Sequence, residues 1–433
     1  MIVSVSGIRG IPNKDFLYAD AARFASSFAE MTGSGDVLLA RDTRSTGPAI
    51  SRAVASGLMS RGARVLDYGV ISTPALFRES RLVKRPAIMV TASHNEPDYN
   101  GLKFLVDGRG IGKETVDAVV ADKDEGHEQF GAGSLRSVLR ASYAEDLIAR
   151  FGAGSCEGVR VALDLGGGAA ATQAPRILRG MGCEVVSVND AMGVFSRKVD
   201  PVADELVALR RLVKESKCDV GLAFDCDGDR LVIVDDQGRK RTGDYMLTLA
   251  LAEMLQEGGQ RNVVVSQDTT RAVDEVVERL AGKVFRSKVG EANVVKAMKD
   301  EGVVLGGEGS SGGLIDGTFN YCRDSMLAAL VIVKALEKKG CKVYASVPVY
   351  HQERVALALP RAKALRAIKQ LAGKYPGADT SDGLKVALSD HSWVLLRPSG
   401  TEDVVRVSAE AESAGKAAEI AKSFALKLKE LSS

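Results

Sequence analysis

Asp36-Val-Leu-Leu-Ala-Arg-Asp42, Val159-Arg-Val-Ala-Leu-Asp164 and Val263-Val-Val-Ser-Gln-Asp268 are three copies of one pattern, an apolar run that closes on an aspartate. Each is followed by a turn, a helical periodicity (about 47–61, 169–181 and 271–281) and a second apolar run near Arg64-Val-Leu, Glu184-Val-Val and Lys283-Val-Phe. Strand–helix–strand units need a right-handed crossover and so build mostly parallel sheets. Copies about a hundred residues apart suit three similar α/β domains with mixed, mostly parallel sheets, rather than a solenoid. After about residue 350 the pattern changes. A helix (Arg361 to Tyr375) precedes short strands around Leu384-Lys-Val-Ala-Leu, Ser392-Trp-Val-Leu-Leu and Val404-Val-Arg-Val, and a closing helix spans about 413–431. That order reads as a smaller α+β domain with an antiparallel sheet. The expected division is 1–150, 151–243, 244–350 and 351–433, four domains around a central cleft.

The bulk numbers narrow the class. A chain of 433 residues is too long for one core. Its 58 basic and 56 acidic side chains nearly cancel, so charge points to neither nucleic acid nor membrane. The longest apolar run, Met326 to Val333, is a core helix rather than a membrane span. The start Met-Ile-Val-Ser-Val, with Arg9 close behind, lacks the order of a signal peptide. Six scattered cysteines read as reduced thiols. A cytoplasmic enzyme acting on small molecules is expected, and homo-oligomer formation stays open.

Four loops carry chemistry, one per domain. Thr91-Ala-Ser-His-Asn95 and Tyr99-Asn-Gly-Leu-Lys103 follow the buried-strand pattern Ala87-Ile-Met-Val90. Ser93 there is a candidate nucleophile, which needs a neighbouring base or metal for activation. Asp225, Asp227 and Asp229 alternate in a loop between two apolar strands. Carboxylates so close repel unless a hard cation neutralises them, and an all-oxygen set suits Mg²⁺. Gly306-Gly-Glu308-Gly-Ser310-Ser311-Gly-Gly313 offers Glu308 and serines to sugar hydroxyls, with glycines that let backbone approach a ligand. Arg397-Pro-Ser399-Gly400-Thr401-Glu402 joins an arginine fork, hydroxyls and backbone N–H groups, a combination suited to a phosphate dianion. Together they equip a cleft for moving a phosphoryl group on a sugar phosphate.

On these residues, together with Ser6-Gly-Ile-Arg-Gly10 and Asn100-Gly-Leu-Lys103, the chain resembles the α-D-phosphohexomutase superfamily along essentially its whole length. The resemblance implies an isomerase that exchanges hexose 1-phosphate and 6-phosphate. Ser93 would be a phosphoserine, and Asp225, Asp227 and Asp229 would hold one Mg²⁺ with an oxygen of Ser93 as a further ligand. A hexose 1,6-bisphosphate would be intermediate and activator. Arg9, His94 and Arg230 would offset charge on the transferring group, and Lys103, with a lowered pKa, would carry the hydroxyl proton. Arg397, Ser399, Gly400 and Thr401 would hold the idle phosphate, and Glu308 and Ser310 would read sugar hydroxyls.

Lys288-Val-Gly-Glu291-Ala-Asn-Val294 looks like archaeal phosphoglucosamine mutases, and Glu291 could pair with the 2-ammonium of glucosamine. The bland reading of Glu291 is a helix-start residue favoured by the macrodipole. Phosphomannomutase or phosphoglucomutase chemistry is the alternative substrate reading. Several positions depart from the family pattern, among them Ser4-Val5, Glu96, Cys226, Gly313 and Asp403. A remoter alternative takes Phe224-Asp-Cys-Asp-Gly as the opening motif of a haloacid-dehalogenase-type phosphatase with Asp225 as nucleophile.

Overall fold

The computed structural model describes residues 1–5, 7–33, 35–122, 132–257, 259–388, 390–399 and 403–432. Its first three sheets repeat one plan. In the second, the order is Glu184–Val188, Arg160–Asp164, Val220–Phe224, Leu231–Asp235; the first three strands run parallel and the last returns antiparallel. The third sheet repeats this with Val284–Ser287, Val263–Ser266, Leu305–Glu308 and Gly313–Asp316. The first contains it too, as Arg64–Val70, Asp36–Arg41, Ala87–Val90 and Asn100–Val106, and is widened by Ile2–Ser4, Gly7–Gly10, Ser134–Ser137 and Arg109–Gly110.

This plan places the chemistry. The hairpin between the third strand and its antiparallel return opens at the carboxyl end of the parallel strands, where α/β sheets present their crevice. In the three copies that hairpin carries residues 91–99, 225–230 and 309–312. The fourth sheet, His351–Ala358, Val404–Ala411, Trp393–Pro398, Leu384–Ala387, is wholly antiparallel, as expected. Helices Arg361–Ala372 and Ala414–Ser432 pack on it, and its strands bring Arg354, Arg397 and Arg406 to the cleft.

The repeat helices stand near their expected places as Gly47–Ser60, Ala174–Gly180 and Ala272–Arg279. The second one is broken: a short 3₁₀ turn, Ala169–Thr172, precedes it, and Pro175 sits in its first turn, where a missing N–H does no harm. The Met326–Val333 run lies inside the helix Ser325–Lys339, capped by Asp324 on the N–H of Leu327. No helix among the described residues is long and apolar enough to cross a membrane. All six cysteines are free.

One apolar core runs through the first three domains, from Leu38 and Phe77 through Leu163 and Phe224 to Leu330 and Leu336. Polar ties to the third domain reinforce it: Tyr143 Oη donates to Asp324 (2.5 Å), and Asn320 Nδ2 donates to the carbonyl of Pro74 (2.8 Å). The fourth domain keeps a separate core, Leu359 to Leu428, with Leu396, Val405, Val407 and Phe424 at its centre.

Candidate active site

Ser93 follows the strand Ala87–Val90 and is fully buried with a left-handed φ of 52°. A non-glycine residue there is strained, and such strain survives only where the surroundings impose it. Arg44 does much of the imposing. Its buried guanidinium donates to the carbonyls of Ser93 (2.7 Å), Asn95 (2.7 Å) and Tyr99 (3.0 Å) and also to that of Glu96. Asp42 holds Arg44 from behind (3.1 Å) and accepts from Thr91 Oγ1 (2.6 Å), which in turn accepts from the Ser93 N–H (2.8 Å). Ser93 Oγ is thereby aimed at Asp225 Oδ2 (3.1 Å), with His94 Nδ1 at 3.5 Å.

The three aspartates of 225–229 are fully buried, and a ligand oxygen from each lies within 4.8 Å of the others. Asp225 Oδ1 accepts from the N–H groups of Asp229 (3.1 Å) and Arg230 (3.2 Å), which curls the loop. Burial, with Asp229 and Asp227 beside it, pushes the Asp225 carboxyl well up. Burial acts the same way on Asp229, but Arg323, Lys103 and Arg230 outweigh it and hold this carboxyl low. Asp227 Oδ1 and Asp229 Oδ1 are buried without a hydrogen-bond partner. Two orphaned carboxylate oxygens in a dry site cost free energy, and three buried carboxylates together fit a hard divalent cation. A metal in this cluster is therefore compatible with the residues present.

The cations around the cluster are specific in their partners. Lys103 Nζ donates to Asp227 (2.6 Å) and Asp229 (2.9 Å). Burial disfavours its ammonium, yet those two carboxylates prevail and raise its pKa above the usual lysine range. The lowered pKa expected from the sequence is thus corrected: the cations nearby are outweighed by the two carboxylates in contact. His94 behaves oppositely. Burial, then Arg230, Arg9 and Arg323, hold its imidazole uncharged. It can offset charge only as a neutral hydrogen-bonding ring. Arg9 donates to Asn95 Oδ1 (2.7 Å), and burial brings its pKa down to about 10. Arg230 reaches Asp200 (3.1 Å) and His94 Nε2 (3.4 Å).

The glycine loop is a 3₁₀ turn, Gly309–Ser311, and its glycines serve the protein more than a ligand. A Cβ on Gly309 would lie 1.9 Å from Asp244 Oδ1, and one on Gly312 (φ +65°) 2.2 Å from the carbonyl of Leu231. Glu308 accepts from the N–H of Gly290 (2.7 Å) and from Arg323 Nη1 (3.1 Å). Ser310 faces the cleft beside Ser311. Glu291 opens the helix Glu291–Asp300, so its helix-start reading holds, and it also lines the cleft. Its Oε2 accepts from the Arg323 N–H (2.9 Å) and lies 3.3 Å from Arg323 Nε.

A cavity of about 620 Å³ joins these groups to the fourth domain, within the usual range for small-ligand sites. Arg9, Arg230, Arg323, Arg354, Arg397 and Arg406 all line it, an array suited to anions. Ser399 is buried beside Arg397, its N–H bonded to the carbonyl of Val404 (2.8 Å). Gly400 and Thr401 lie outside the described residues, as do Ser6 and Glu402.

Three groups of the site were not singled out from sequence: Arg44, Arg323, and the pair Arg354 and Arg406. Arg323 joins Asp229 (2.8 Å) to Glu308 and Glu291 and so links the carboxylate loop to the sugar loop. A signal for it was available, since Asp324 has the character of a helix N-cap and Arg323 immediately precedes it. Arg44 stands two residues beyond the first repeat's closing Asp42.

Family models described as phosphoglucomutase/phosphomannomutase match nearly the whole chain: alpha/beta/alpha domain I at 1–130, domain II at 141–238, domain III at 242–351 and the C-terminal domain at 355–427. A protein of Methanopyrus kandleri named "Probable phosphoglucosamine mutase" is 34% identical, covering 97% of this chain and 96% of the relative. A phosphoglucomutase/phosphomannomutase family protein from Burkholderia thailandensis superposes with a TM-score of 0.89 at 27% identity, over 99% of this chain and 97% of the other. The N-acetylphosphoglucosamine mutase of Aspergillus fumigatus, solved with GlcNAc-6P and magnesium, shares the fold (TM-score 0.59, 17% identity, 92% and 78% covered). Fold and cleft thus define a phosphohexomutase. The chain belongs to the phosphoglucomutase/phosphomannomutase family and is an isomerase that works by phosphoryl transfer.

Proposed function

We propose that the protein interconverts glucosamine 6-phosphate and glucosamine 1-phosphate through a phosphorylated Ser93 and a bound hexose 1,6-bisphosphate. The observation that carries this reading is Ser93, strained in its backbone and buried, with Oγ 3.1 Å from Asp225 and its neighbours His94 and Asn95 lining a cleft walled by arginines of several domains. Asp225, Asp227 and Asp229 would hold Mg²⁺, with an oxygen of Ser93 beside them. When bound, that cation would offset charge on the transferring phosphoryl group. Lys103, whose ammonium touches Asp227 and Asp229, is the group we assign to give and take the hydroxyl proton. Arg9 and Arg230 stabilise charge on the group in flight, and His94 donates or accepts as a neutral ring. Arg397 and Ser399, with Gly400 and Thr401, hold the phosphate that does not react.

Glu291 supports the choice of glucosamine, because a carboxylate in the cleft can meet the sugar's 2-ammonium. The archaeal relative's name supports it as well. The same mechanism on mannose or glucose phosphate is favoured by one observation: Arg323 already pairs with Glu291 and partly neutralises it. Turnover of glucosamine, glucose and mannose 1-phosphates, compared at equal concentration, decides between them. A clear preference for mannose would refute the glucosamine reading.

A further inference from the structure

The fourth domain meets the third through polar bonds. Gln267 Nε2 donates to Asp379 (2.5 Å), Lys385 Nζ to the carbonyl of Gln267 (2.5 Å), the Arg271 N–H to Glu410 (2.8 Å) and the Val289 N–H to Asp382 Oδ2 (2.8 Å). The last differs from the others. The same Oδ2 of Asp382 lies 3.0 Å from Arg397 Nε, and Arg397 lines the cleft. One carboxylate oxygen therefore joins a backbone N–H of the third domain to a cleft arginine of the fourth. On the other side of Val289, the Gly290 N–H donates to Glu308 (2.7 Å), and Glu291 follows. Arg397, Asp382, Val289–Gly290 and Glu308 thus form a continuous polar chain from the cleft arginine of the fourth domain to the glycine loop of the third.

Electrostatics alone gives Asp382 no use there. A carboxylate close to a phosphate-binding arginine lowers the local positive potential and weakens the anion's binding. An oriented guanidinium gains more. Holding Nε fixes the plane of the fork, and phosphate recognition by arginine depends on that plane. We propose that Asp382 is a positioning residue: it orients Arg397 and sets its spacing from the sugar-reading loop, so that phosphate and sugar are registered only when the fourth domain is docked. The inference rests on the phosphohexomutase reading and goes beyond it, since none of the family motifs on which that reading stands contains Asp382.

The sign of one effect separates positioning from a counter-ion role. We would measure KM and kcat on a hexose 1-phosphate, and calorimetric binding of glucose 1,6-bisphosphate, in the wild type, D382N, D382A, R397A and the double variant D382A/R397A. Positioning predicts that D382A raises KM and weakens bisphosphate binding by about tenfold, with kcat changed less than about threefold. D382N, which keeps the shape and an acceptor for Val289, shifts both in the same direction by less. In the R397A background, D382A then costs less than about twofold, because its target is gone. Tighter binding in D382N, or an undiminished penalty in R397A, would overturn the proposal. Failure of the parent reading looks different: the wild type would turn over no hexose phosphate, while the calorimetric cycle would still report on Asp382.

Discussion

The first three domains join through the side chains of one continuous apolar core, with Phe77, Leu163 and Leu330 among its members. Between the third and fourth lie Gln267, Asp379, Lys385, Asp382 and Glu410. The two junctions differ in what separation would cost. Opening the first would expose apolar surface at roughly 25 cal/mol per Å². Opening the second exchanges protein hydrogen bonds for water, at about 1 kcal/mol net for each. On the mechanism we propose, reorienting a bound bisphosphate needs a fixed reaction centre and a wall that can part. The fused three domains suit the first task and the fourth domain suits the second. Small-angle scattering with and without a bisphosphate checks this: the ligand should reduce the radius of gyration, and an unchanged value would break the comparison.

The largest effect is expected in the fixed part. Asp227→Asn removes a charge from the carboxylate cluster and should lower turnover about a thousandfold, the upper range for losing one electrostatic group of a reaction centre. The fourth domain's docking, read by scattering, should not change. Next comes Arg44→Met, which strands the buried Asp42 and frees the Ser93 loop. It should destabilise the fused domains by about 3–5 kcal/mol, visible as a fall in Tm. Leu396→Ala, a fully buried side chain in the separate core, should cost about 2–5 kcal/mol. Hydrogen exchange should place that loss in the fourth domain alone. Protection lost equally in all four domains would show one cooperative unit.

The smallest effect concerns pH. Burial, with Arg286 nearby, brings the Lys385 pKa down to about 7 from the ordinary lysine value of 10.5. Undocking would return it toward that free value. A group with a depressed pKa in the docked state contributes docking stability that is fully present above the free value and drains away as pH falls toward the depressed one. Docking should therefore be firmest above pH 10.5 and weaken down to about pH 7, below which this group has no further effect. Lys385→Met should flatten that slope, and an identical slope in the variant would assign it to other groups.

Much of the architecture was legible because it is written in local periodicity. Three apolar runs closing on Asp42, Asp164 and near Asp268 announced the repeated sheets, and alternating short strands announced the fourth domain. The loops that converge on the cleft were legible from residue type, since Ser93, the three aspartates and Arg397 are chemically conspicuous. What sequence could not supply was contact between distant positions. Lys103 was read among cations, whereas Asp227 and Asp229, more than a hundred residues away, touch it and set its charge. The glycines of 309–313 looked like a ligand cradle, and several are demanded instead by Asp244, Leu231 and Arg323. Arg44 and Arg323 act by gathering carbonyls and carboxylates from separate segments, which no local spacing reveals.

The most direct test of the account is phosphopeptide mapping after brief incubation with Mg²⁺ and glucose 1,6-bisphosphate. Acid-stable phosphate is expected on Ser93 and none in a Ser93→Ala variant. A hydroxylamine-labile phosphate on Asp225, with Ser93 bare, would contradict it and make the protein an aspartyl-phosphate enzyme.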